Sequence, residues 1–142
     1  MLPALYSDCT LEEETELTDR LVLILAAAGL LPIALSYGFA PSTSLPYLFG
    51  FPVEGTNQTH IFRAIMGLYL AFAAYWIVGI RNAKYWEGAT ISNIVFMGGL
   101  ALGRLVSTLL DGVSTLWLVG LILELFMMVW GIYNLKVIKA SD

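Results

Sequence analysis

This sequence predicts an all-α fold: a polytopic membrane protein with four transmembrane helices in an antiparallel bundle and a long structured loop between helices 1 and 2. Three observations predict it. Hydrophobic residues make up 58% of the 142 and charged residues only 13%, too few charges to cover a soluble surface, and the mean hydropathy is +0.79, far above that of soluble chains. The apolar excess is gathered into four runs, each of roughly the 20 residues that cross a hydrocarbon core. Every Lys and Arg outside those runs falls on one side of the resulting topology.

The net charge of −4 does not describe the whole chain, because six of the eleven acids lie between positions 8 and 19. No basic patch suits nucleic acid. The single cysteine, Cys9, excludes an intrachain disulfide and a thiolate metal cage. The N-terminus lacks the basic n-region of a signal peptide, and acids precede the first apolar run. That run is therefore expected to stay as a helix.

In chain order, residues 1–20 read as an acidic tail or a short helix, with Thr10 and Glu13 spaced as a capping box. Residues 21–136 form a single transmembrane domain, and 137–142 a short tail. The first span covers about 21–39 and is interrupted by Pro32. Residues 40–59 are long for a connection, and Pro41, Pro46, Gly50 and Pro52 alternate there with Leu45, Tyr47, Leu48, Phe49 and Phe51. Prolines oppose a regular helix, so an irregular interfacial segment is expected. The second span covers about 60–80, followed by an interfacial turn at Arg81, Lys84, Tyr85 and Trp86. The third covers about 89–110, Asp111 to Ser114 make a tight turn, and the fourth covers about 115–135.

In a four-span chain both termini and the middle loop share a side. That side carries Arg20, Arg81, Lys84, Lys136 and Lys139, and the other two loops carry no Lys or Arg. The positive-inside rule therefore places both termini in the cytoplasm. Trp76, Trp86, Trp130 and Tyr133 then fall in an inner aromatic belt, with Tyr47 and Trp117 on the outer side. Gly99 and Gly103 form a GxxxG pair widened by Gly98 and Ala101, with Ala71 and Ala74 as counterparts in the second span. Such residues let helix backbones approach.

Three charges sit inside spans: Arg63, Arg104 and Glu124. Each costs roughly 2.5–3.5 kcal/mol or more if unpaired at the bilayer centre. By helical rise they lie about 5, 9 and 14 Å from the outer end of their spans. Spacing puts His60, Arg63 and Gly67 on one face, Asn93, Met97, Arg104, Thr108 and Asp111 on another, and Gly120, Glu124, Met128 and Gly131 on a third. If all three faces turn inward, the outer half of the bundle holds two arginines and a deep carboxylate, with Glu54 and Asp111 at the mouth. Asn57 or Thr56 is expected to cap the second span; Asn57 also begins a glycosylation sequon placed almost on the membrane. Two readings of the charges stand: an ion-pair network that specifies helix packing, or a pocket for an anionic or carbonyl-bearing head group. The candidate ligand-binding set is Glu54, Asn57, His60, Arg63, Arg104, Asp111 and Glu124. Arg104 is the best-placed partner of Glu124 by depth. No metal or cofactor motif stands out, and no nucleophile has a base and an orienting third group.

At VEGTNQTHIFRAIMGLYL (53–70) and FMGGLALGRLVSTLLDG (96–112) the sequence resembles a bacterial family described as domain of unknown function 4345, over about residues 21–135. The matching positions are Glu54, Gly55, Asn57, His60, Arg63, Gly67, Gly99, Gly103, Arg104 and Asp111. The resemblance implies a small four-helix membrane protein, in a bacterial inner membrane, and brings no activity with it. In size and layout alone the chain is similar to small membrane proteins of the DoxX type, some of which accompany quinone-linked oxidoreductases. The expectation is a non-enzymatic membrane protein whose outer-side pocket binds the head group of an amphiphile, a lipid or a quinone. The alternative is an accessory subunit, or a homo-oligomer, in which the charges serve structure. A small transporter or membrane enzyme is a third reading, opposed by the lack of an inverted repeat.

Overall fold

The computed structural model describes the backbone of residues 2–139 and the side chains of residues 20–137. The described backbone is helical, in five elements: α1 (Leu2–Gly38), α2 (Pro41–Phe49), α3 (Gly55–Arg81), α4 (Ala83–Asp111) and α5 (Thr115–Lys139). Four stretches are long and apolar enough to cross a membrane: Arg20–Gly38, Gly55–Arg81, Ala83–Asp111 and Thr115–Val137. They match the four expected spans. α1 is already helical before its apolar part begins and runs unbroken through Pro32. The side chains of Thr10, Glu13 and the acidic cluster lie outside the described residues.

The expected loop between the first two spans is corrected by α2. Pro41 occupies its first turn, where an N–H has no helical partner to lose. Pro46 removes one bond from the interior of a nine-residue helix. Ser44 Oγ donates to Ala40 O at 2.8 Å and to Ser36 O at 2.5 Å, tying α2 to the end of α1. Leu45 is fully buried, and Gly50, at φ 74°, closes the helix by donating its N–H to Pro46 O. One buried leucine and a hydroxyl strap outweigh the single bond that proline forfeits.

Two further boundaries differ from the expectation. α3 is capped at Glu54, whose N–H donates to Gln58 Oε1, so Asn57 lies inside the helix rather than at its cap. The turn around Arg81 and Trp86 shrinks to Asn82, whose side chain accepts from Lys84 N at 3.0 Å and starts α4.

α1 packs mainly on α3, α3 on α4, and α4 on α5. Along α1, Val22, Leu23, Ala26, Ala27, Leu30 and Ala34 form one buried stripe. Arg20 reaches Ile80 O at one end of the α1–α3 pair, and Gly38 meets Met66 towards the other. α3 answers with Tyr69, Ala73 and Trp76. Trp76 is fully buried, and its Nε1 donates to Ser92 Oγ at 3.1 Å. It is a core residue and not part of an aromatic belt. Close helix approach occurs at Gly79 against Ala89 and at Gly131 against Ile94. Ala71 and Ala74 are exposed, so Ala73 and Gly79 take the packing role expected of them.

Candidate functional site

The ends of α1 and α4 and the starts of α3 and α5 meet around a cavity of about 710 Å³. Tyr37 of α1, Phe51 of the linker, Phe62 and Tyr69 of α3, and Trp117 of α5 supply aromatic walls. The rings touch one another. Tyr37 lies 5.6 Å from Phe49, 6.0 Å from Phe62 and 5.8 Å from Tyr69, centroid to centroid. Phe49 stacks on Trp117 at 5.3 Å and 10°. α2 thus brings Phe49 against Tyr37 and Trp117, behind the cavity-lining rings. Phe49 and Phe51 of this segment join the ring cluster, while Tyr47 is 88% exposed.

Polar groups enter from α4 and α5. Arg104 Nε donates to both carboxylate oxygens of Glu124 at 2.8 Å. The Arg104 guanidinium also lies over the Trp117 ring, 4.8 Å from its centroid. Gly120 leaves room for it: a Cβ there would sit 3.2 Å from Arg104 Cζ. Glu124 is buried, while Arg104 is partly open along the cavity wall. Among the described residues, the Nη1 and Nη2 groups of Arg104 make no hydrogen bond, which leaves four N–H donors unused. Ser107 Oγ donates to Asp111 Oδ2 and Thr108 Oγ1 to Arg104 O, both at 2.8 Å. All three residues line the cavity.

The seven expected site residues are therefore divided. Arg104 and Asp111 line the cavity, and Glu124 stands directly behind Arg104. Glu54, Asn57, His60 and Arg63 are exposed and do not line it. Two of the three expected faces turn inward, those of Asn93–Asp111 and Gly120–Gly131. The face of His60, Arg63 and Gly67 turns outward. The reason lies in the competing row on α3. Phe62, Ile65, Tyr69, Ala73 and Trp76 recur at the same helical spacing and bring far more apolar area to the core. At about 100° per residue, His60, Arg63 and Gly67 lie about 100–160° away from Phe62.

Gly99 and Gly103 also differ from the expectation. Neither touches another helix: a Cβ added at either meets nothing within 4 Å, and both line the cavity. The close α4–α5 contact is made instead by Gly98, against Met128. Sequence reasoning missed Tyr37, Phe62, Tyr69 and Ser107 as lining residues. The aromatic row on α3 was the available signal for two of them. Deeper in the core, Thr90 and Asn93 are fully buried, about 16 Å along α4 from Arg104 in the case of Asn93. Among the described residues, no three His, Cys, Asp or Glu side chains gather as a metal site.

The fold and the site define a small helical protein with four membrane-length apolar helices and a polar cavity at one end. The chain belongs to the family described as Domain of unknown function (DUF4345), whose model matches residues 18–135. No curated protein and no solved structure matches the chain.

Proposed function

We propose that this is a non-enzymatic integral membrane protein that binds the head group of an amphiphile, a lipid or a quinone, in the cavity at the outer side of an antiparallel four-helix bundle. Both termini then lie in the cytoplasm of a bacterial cell, beside Arg20, Arg81, Lys84 and Lys136. The cavity is at the opposite end, where loops carry no Lys or Arg. The observation that carries this reading is Arg104: a charge deep enough to be costly, fixed by Glu124, with unused donors beside an aromatic-walled cavity. A purely structural pair has no need of that opening. Arg63, exposed near the start of α3, is suited to reach lipid phosphate by extending its stem.

The rival is an accessory subunit of a larger membrane complex. It draws on the open backbone at Gly99 and Gly103, which would also admit a helix. Native mass spectrometry of gently extracted protein separates the two. The amphiphile reading expects a retained small lipid or isoprenoid that is lost from Gly99→Leu. A stoichiometric protein partner, or a wild type with no retained small molecule, sinks it.

A further inference from the structure

We propose that the cavity selects an uncharged, planar, carbonyl-bearing ring and rejects anionic head groups. This rests on the amphiphile reading above and narrows it. Arg104 is the sole cation among the cavity-lining residues, and Glu124 already neutralises it through both carboxylate oxygens. Asp111 adds a carboxylate at the mouth. Arg104, Glu124 and Asp111 together sum to one negative charge. A phosphate or carboxylate accepting from the Nη groups of Arg104 would add negative charge beside Glu124 and Asp111, so like charge opposes it. An uncharged carbonyl oxygen meets no such repulsion. It accepts from the N–H donors that Arg104 leaves unused on Nη1 and Nη2, and Glu124 keeps its bonds to Nε.

The walls point the same way. Gly99 and Gly103 present bare backbone one turn apart, with nothing within 4 Å of where a Cβ would stand. That makes a flat floor without side chains. Phe51, Phe62 and Tyr69 bring aromatic surface to the same cavity, and a flat ring finds offset or edge-on partners there. A branched or tetrahedral head group gains nothing from a flat floor.

The test uses the full chain in uncharged surfactant micelles with two probes of matched tail. One is a decyl-substituted dimethoxy-methyl-benzoquinone, whose binding is read by quenching of tryptophan fluorescence. The other is decyl phosphate, read by its displacement of the first. The quinone is expected to bind saturably, with decyl phosphate weaker by about ten-fold or more. Gly103→Leu raises the floor and is expected to weaken quinone binding by about ten-fold or more, with helicity and melting as in the wild type. If Gly103→Leu fails to fold, Ser107→Leu, an exposed lining position, takes its place. Relief of quenching by decyl phosphate at an affinity equal to or tighter than the quinone's own overturns the claim of an uncharged head group and leaves the amphiphile site standing. Equal quenching in the wild type and a folded Gly103→Leu or Ser107→Leu variant shows mere partition into micelles, and both readings fall. Loss of self-association in Gly103→Leu, with unchanged quinone binding, assigns the glycine floor to a second helix and also overturns the proposal.

Discussion

Removing Arg104 should cost this protein more than removing Glu124, even though the two form one pair. Arg104 Nε donates to both oxygens of Glu124 at 2.8 Å, and charge-assisted bonds of that kind contribute about 1.5–3 kcal/mol each at most. The two ends of the pair have different fallbacks. Without Glu124, the guanidinium still has the Trp117 face 4.8 Å away, worth about 0.5–2 kcal/mol, and the open cavity on its flank, with its side chain 22% exposed. Without Arg104, the carboxylate of Glu124, 9% exposed at the side chain, is left with no partner. Breaking a buried pair from the side that leaves an orphan charge costs about 3–5 kcal/mol. Arg104→Gln should therefore lose about 3–5 kcal/mol. Glu124→Gln, which keeps an acceptor and leaves a partly solvated cation, should lose about 1–2 kcal/mol. The double mutant should lose less than the sum, with a coupling of about 1–3 kcal/mol. Helicity followed through a titration of denaturing into mild surfactant measures all four proteins. Additive losses, or a Glu124→Gln cost at or above that of Arg104→Gln, would refute the reasoning.

Three further outcomes follow from the same geometry. Gly99→Ala and Gly103→Ala should each stabilise by about 0.5–1 kcal/mol, since a mid-helix glycine with open space around it gains helix propensity and meets no clash; Gly79→Ala, placed against Ala89, should destabilise by about 1–3 kcal/mol in the same melting assay. Leu45→Ala should cost about 2–5 kcal/mol of local stability, because Leu45 is the fully buried anchor of α2; hydrogen exchange should quicken in residues 41–49 first, and uniform quickening across all helices would argue against α2 as a separately anchored element. An impermeant thiol reagent on intact cells should leave Cys9 unlabelled and label Thr43→Cys, because the cations flank the termini and not α2; the reverse pattern moves the cavity to the inner leaflet.

The sequence by itself determined the four membrane-length helices, because the alternative to burying or lipid-facing so many apolar side chains is a soluble surface that 13% charged residues cannot cover. It also ranked Arg104 ahead of Arg63 as the partner of Glu124, and the structure makes that pair. Two charges at similar depth, each on the inward row of its helix, have few other partners. The direction of α4 and α5 was legible because Arg104 and Glu124 pair only when their two rows turn towards each other, even though apolar rows such as Val119, Ile122, Phe126 and Val129 of α5 are then left exposed. On α3 the sequence held two rows of equal period, one polar through His60 and Arg63 and one aromatic through Phe62, Tyr69 and Trp76. Which one faces inward is a comparison of buried areas between helices, and no single helix contains that comparison. α2 was hidden likewise, since its proline cost is local while its compensation, Leu45 in the core and Ser44 on Ser36 O, comes from α1 and α3. Gly99 and Gly103 read as a contact because small residues permit close approach. Tertiary packing left them bare, since α5 meets α4 at Gly98 and Gly131 and the ring cluster around Tyr37 holds α3 across a gap. That gap is the cavity, and it exists only where four helix ends fail to close on one another.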